Sequence, residues 1–151
     1  MSDWRDDIER AVSDFTEVAT LAGDPITAEE LEIVYLPAPH RPPSCIPVGK
    51  RAIYGFYQGG RWLKIGQAGP NSQPRYCSQH YTGGAGSTLS RSLISDLTMT
   101  TIPRSDSNAL GEWIKKETNR VNILLSIDRK RELLSLLESF LHVRLKPLYE
   151  G

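Results

Sequence analysis

From residue 2 to 21, apolar side chains recur at steps of three and four, with Trp4, Ile8, Ala11, Phe15 and Val18 in one stripe. Asp3, Asp6, Asp7 and Glu9 crowd the first turn, where the helix dipole favours anions, so the pattern predicts an amphipathic helix. Gly23-Asp24-Pro25 ends it. Thr27-Ala28-Glu29-Glu30 has the form of a capping box opening a short helical turn, and residues 32–36 read as extended. Five prolines from Pro37 to Pro47 exclude regular structure and predict a stiff connector over 37–49. The pattern then changes period. Two apolar, aromatic-rich runs, 52–57 and 62–66, flank Gly59-Gly60, whose freedom to adopt positive φ suits a tight turn, and together they predict a β-hairpin. Strict alternation places Tyr54 and Phe56 on one face of the first strand, and Trp62 and Lys64 on one face of the second.

Beyond the hairpin the pattern predicts a loop to Pro74, one or two helical turns over 75–81, a Gly-rich stretch over 82–86, and a helix capped by Ser87 running to Leu97. Leu89, Leu93 and Leu97 form its apolar row. A loop over 103–108 leads to a helix over 109–118, a buried strand over 120–127, and a long last helix over 128–146 capped by Asp128. The order ββααβα implies an α+β domain with a small three-stranded, mainly antiparallel sheet flanked by helices. Residues 1–48 then form an acidic helical extension and connector, and residues 49–151 the main domain.

Length and composition allow one core. A chain of 151 residues with 39% apolar side chains buries one good core and leaves little for a second domain. Two cysteines, Cys45 and Cys77, are too few for a disulfide framework and lack metal-ligand spacing, which favours a reducing, cytoplasmic setting. No apolar run approaches the ~18 residues of a membrane span, and the acidic N-terminus lacks the basic region of a signal peptide.

The net charge of zero hides an asymmetry. Residues 1–32 hold two basic side chains against ten acidic ones, leaving sixteen basic against eight acidic over 33–151. A basic core suits a polyanion and an acidic arm does not. The arm's apolar stripe must be buried on the core or on a second copy of the chain, so a homodimer stays open, as does a role for the arm in shielding a basic surface.

Candidate chemistry gathers at the hairpin and the last helix. Tyr54 and Lys64 bring a phenol and an ammonium onto paired strands, although a snorkelling lysine on an amphipathic hairpin is the plainer reading. Glu138 falls in the row Leu134, Glu138, Leu141, Leu145, where a lone carboxylate needs a cation, hydrogen bonds or protonation to offset desolvation, unless it sits at the edge of the stripe beside a surface cation. His80 follows Arg75 by five residues. His40 and His142 read as connector and helix-surface side chains.

Ala52-Ile53-Tyr54 and Lys64-Ile65-Gly66, with Leu136-Leu137-Glu138, Leu141 and Lys146-Pro147-Leu148-Tyr149, resemble the paired signature, last helix and closing Pro-x-Tyr of the GIY-YIG endonuclease family over roughly residues 50–151. Ala52 replaces the first Gly, Lys64 the second Tyr, and Glu150 stands where many members have Asn. The resemblance implies an endonuclease that hydrolyses DNA with Mg²⁺ or Mn²⁺ held by Glu138. Tyr54 would activate the attacking water. Lys64 would lower the Tyr54 pKa or contact phosphate. Arg75 would hold the scissile phosphate with its planar fork, with Arg91 as the rival. His80 would position or deprotonate water, or contact the DNA backbone. Arg61, Gln67 and Arg91 are further expected nucleic-acid contacts. The alternative is a catalytically silent nucleic-acid- or protein-binding module on the same fold.

Overall fold

A computed structural model describes residues 3–82, 88–104 and 106–149. The expected hairpin is formed by β2 (Lys50–Gln58) and β3 (Arg61–Ala68), joined through Gly59 at φ 62° and Gly60 at φ 82°. Both glycines occupy the left-handed region that side chains disfavour, which is why this pair makes the turn. The buried strand is β4 (Asn119–Ser126), antiparallel to β2 with Tyr54 opposite Asn122. The fold is α+β, but its sheet has four strands rather than three. Residues 32–36, expected only to be extended, form β1 (Glu32–Leu36) along the other side of β4, giving the antiparallel order β1-β4-β2-β3. β1 stops where Pro37 removes the next backbone donor.

The hairpin contains one irregularity. Tyr57 faces Trp62 and Phe56 faces Lys64, so Leu63 is an extra residue forming a β-bulge. Strict alternation placed Trp62 and Lys64 on one face; the bulge separates them. Trp62 joins Ile53 and Ile65 in one core, while Leu63 joins Tyr54 and Phe56 in the other. The bulged edge is covered by the chain's end, where the Leu148 and Tyr149 amides donate to the Trp62 and Leu63 carbonyls at 2.9 and 2.8 Å.

Helices cover both faces. α1 (Trp4–Leu21) and α5 (Arg131–Leu145) pack together in the core that contains Trp62. α1 is capped by Asp3, whose carboxylate accepts from the Arg5 amide at 2.9 Å. Its stripe is buried through Trp4, Ile8, Ala11 and Phe15, with Val12 and Ala19 buried beside them and Val18 half-buried. The arm therefore buries its apolar face within this chain, and Asp14 pairs with Arg144 of α5 at 2.8 Å. The capping box forms as expected, with the Thr27 amide donating to Glu30 at 2.8 Å.

The opposite core holds Tyr54, Phe56 and Leu124 together with α3 (Thr88–Ser95) and α4 (Ser107–Glu117). α3 ends before Leu97, which is 80% exposed rather than in the apolar row. The expected Ser87 cap and the Glu150 departure lie outside the described residues. α4 is capped by Asp106, which accepts from the Asn108 and Ala109 amides. Its Gly111 lies so close to the turn at 79–81 that a Cβ there would come within 1.9 Å of the Tyr81 carbonyl oxygen. The segment expected to make one or two helical turns breaks into α2 (Gln73–Cys77) and a 3-10 turn, Gln79–Tyr81.

α5 begins three residues later than expected, and Asp128 does not cap it. The Asp128 and Arg129 amides bond back to Ser126 to finish the turn off β4, so Lys130 takes the cap position without a side-chain bond. Among the described residues, no helix is long and apolar enough to cross a membrane.

Candidate functional site

Between β3, α2 and α5 lies a cavity of about 240 Å³. β2 supplies Tyr54, β3 supplies Lys64 and Gln67, α2 supplies Arg75, the 79–81 turn supplies His80, and α5 supplies Glu138. Five of the elements thus bring together the five expected catalytic side chains. Gly66 also lines the cavity, directly across the ladder from Tyr54. A Cβ on Gly66 would sit 2.5 Å from the Tyr54 hydroxyl, so only glycine leaves room for the ring. Of the two candidate arginines, Arg75 lines this cavity. Arg91 is exposed on α3 and does not. Arg61 is exposed beside the hairpin turn and lines a different cleft, with Arg144 and Lys146. Gln67 is in the cavity, where its amide donates to Ser135 at 3.2 Å. Thr88 and Gln79 complete the lining; their types gave no signal in the sequence.

The cavity holds opposed charges in a partly dry setting. Burial raises the Glu138 carboxyl above its usual range, against the opposing pull of His142, Lys64 and Arg75. Burial also lowers the Lys64 ammonium, opposed by Glu138 and assisted by Arg75. His142 is more than a surface side chain. Its Nε2 donates to the Ile65 carbonyl at 3.0 Å and lies 3.8 Å from Glu138, so it ties α5 to the edge of β3.

Tyr54 is buried, and desolvation pushes its phenol up to about 12. Arg75 and Arg120 are the cations that favour the phenolate, and Glu138 opposes them. The charges that act on the phenol come from these three side chains. Lys64 acts on Glu138 and on His80.

His80 is not a loop side chain open to solvent. Its ring packs 4.9 Å from Tyr54 and 5.5 Å from Phe56, and burial with the charges of Arg120, Lys64 and Arg75 pushes its pKa down to about 3. It stays neutral at pH 7, so it is a poor proton acceptor there. The unfolded imidazole takes up its proton near about 6.5 and the folded one near about 3, so stability is lost as pH falls through that window. Urea unfolding should lose about 2 kcal/mol between pH 6.5 and 5 from this group alone, and His80→Phe should flatten the curve. An equal acid loss in the variant would remove His80 as its source.

Sequence reasoning missed Arg120. It is fully buried at the start of β4, where it was absorbed into an otherwise apolar strand. Its guanidinium donates to Asn122 Oδ1 at 2.8 Å, the Tyr81 hydroxyl at 2.9 Å and the Tyr76 carbonyl at 2.6 Å. It also lies over the rings of Tyr54, Phe56 and Tyr76 at 5.4, 5.2 and 4.9 Å. The network continues outward through His40, whose Nδ1 donates to the Thr118 carbonyl at 2.8 Å and whose Nε2 lies 2.7 Å from the Tyr81 hydroxyl. A carbonyl only accepts, so Nε2 is the acceptor and Tyr81 donates to it. His40 therefore pins the proline-rich connector to the wall of the site. A cation in a strand that alternation turns inward was the available signal, because a buried charge has to be paired.

Among the described residues no cluster of three or more His, Cys, Asp or Glu side chains could hold a metal. No protein-family model, curated protein or solved structure matches this chain.

Proposed function

We propose that this chain is a divalent-metal-dependent endonuclease that hydrolyses phosphodiester bonds in DNA. The reading rests on one observation: Tyr54, Lys64, Arg75, His80 and Glu138, far apart in sequence, line one cavity together. Motif resemblance of the GIY-YIG kind supplies the reaction.

The donor set fits a hydrated Mg²⁺ or Mn²⁺. Glu138 is one half-buried carboxylate whose desolvation a cation would relieve, and Mg²⁺ keeps most of its waters when one carboxylate holds it. Bound there, such an ion would supply Lewis-acid stabilisation of the departing 3′ oxygen. The chain's own groups do the rest. Arg75 presents a planar fork to two phosphate oxygens, and Lys64 adds a second positive charge at the same wall. Tyr54 orients the attacking water in line and accepts its proton as the phenolate becomes accessible. Glu138 is one of the charges that keep the phenol protonated, so neutralising that carboxylate favours the phenolate. His80, neutral and packed on Tyr54, fixes the ring. No covalent intermediate is required.

The protonated phenol also favours a second reading, a silent nucleic-acid-binding module on the same fold. Incubation with duplex, single-stranded, nicked and branched DNA separates the two. The nuclease reading expects cleavage in Mg²⁺ or Mn²⁺, none in EDTA, and a rate rising about tenfold per pH unit above neutrality as the phenolate fraction grows. Binding without cleavage of any substrate selects the silent module.

A further inference from the structure

A second cavity, of about 350 Å³, adjoins the first and shares Gln67 and Arg75 with it. Arg51 of β2 and Arg131 of α5 line it, beside the Gly69–Ser72 turn, and among the described residues no acidic one does. Two of its three cations, Arg75 and Arg131, form no ion pair with a described residue. Arg131 is exposed in the first turn of α5, where the helix dipole disfavours a cation. Arg51 is held in place through Nη1, which donates to the carbonyls of Ile127 and Arg129 at 3.4 and 3.2 Å. Three guanidinium groups on one concave surface, with no carboxylate among the described residues that line it, repel one another, and an oxyanion with several acceptor oxygens relieves that repulsion.

We infer that Arg51 and Arg131 form a subsite for the backbone phosphate that adjoins the scissile one on the same strand. The inference rests on the nuclease reading of the neighbouring cavity. Because Arg75 belongs to both cavities, a strand whose scissile phosphate meets Arg75 in the first runs directly into the second. Arginine forks bind phosphate oxygens bidentately, so the subsite sets the strand's register and carries no base preference.

The test is equilibrium binding of a fluorescent duplex to the full chain in EDTA, titrated over a range of KCl. Replacing both residues, Arg51→Gln with Arg131→Gln, should weaken binding about tenfold at low salt and lower the slope of log affinity against log salt by about one, the loss of one phosphate contact. Arg51 also holds backbone carbonyls, so the double variant can lose stability. Arg131→Gln alone, on the exposed start of α5, should then shift affinity and slope in the same direction. Lys116→Gln, an exposed cation on α4 far from both cavities in the chain, gives the comparison for loss of charge anywhere. An unchanged slope in Arg131→Gln, or an equal loss in Lys116→Gln, overturns the subsite. Cleavage by the wild type in Mg²⁺ is scored separately. Failure to cleave, with the slope still lowered in the variants, keeps the phosphate subsite and removes the nuclease reading; cleavage with unchanged slopes does the reverse.

Discussion

Glu138→Ala is expected to abolish Mg²⁺-dependent cleavage, lowering the single-turnover rate by at least about 10³, while the protein still binds DNA. A loss of that size corresponds to about 4 kcal/mol of transition-state stabilisation, within what a metal ion contributes to a departing oxygen. Ground-state binding depends on the cations around the carboxylate, and these remain. Removing a negative charge beside Lys64 and Arg75 should, if anything, tighten binding at low salt, with a gain that salt erases. Folding should survive, because a half-buried carboxyl whose pKa is raised by burial is not a source of stability at neutral pH. Full cleavage by the variant in Mg²⁺ would end the proposed mechanism. A large loss of DNA affinity would show instead that Glu138 organises the binding surface.

Arg120→Met should cost about 3–5 kcal/mol of folding stability and lower the melting temperature by roughly 10 °C or more. Methionine fills much of the volume but leaves Asn122 Oδ1, the Tyr76 carbonyl and the Tyr81 hydroxyl without their donor in a dry environment. Lysine keeps the charge without the fork, so Arg120→Lys should recover less than half of the loss. Urea denaturation measures both, and wild-type stability in the methionine variant would mean that the network contributes nothing. If it stays folded, the methionine variant should also show a higher Tyr54 pKa in an absorbance titration, since a cation favouring its phenolate has gone.

The hairpin and Glu138 were legible because their signals are local, whereas Arg75 and His80 were expected only through the motif resemblance. Gly59-Gly60 between alternating runs specifies a turn, and a carboxylate in a leucine row is anomalous wherever the helix docks. β1 was not legible as a strand, since its partner β4 lies near the other end of the chain and distant pairing leaves no local pattern. The bulge at Leu63 was hidden for a related reason. Alternation assumes an unbroken ladder, and nothing in Trp62-Leu63-Lys64 marks the residue that is skipped. His80 was read as an imidazole titrating near neutrality because its type was visible and its burial was not. Arg120 was passed over because strand patterns are scored on apolar runs, so a cation at the start of one reads as an edge. The start of α5 was placed at Asp128 on residue preference alone, whereas the turn leaving β4 uses that stretch first.

The order of strands governs when the site comes into being during synthesis. β2 and β3 are contiguous, so the hairpin bearing Tyr54 and Lys64 can pair once Ala68 has emerged. β1 and β2 both wait for β4, which lies between them in the sheet. Glu138 arrives later still, on α5, several seconds after the hairpin at roughly 5–20 residues per second. On the nuclease reading, a nascent chain tethered to the ribosome, itself built of phosphodiester strands, presents its acidic arm first and gains its basic excess and its metal ligand only in its second half. Its early charge holds it off RNA, and the means to grip a phosphate strand and the means to cut one arrive together.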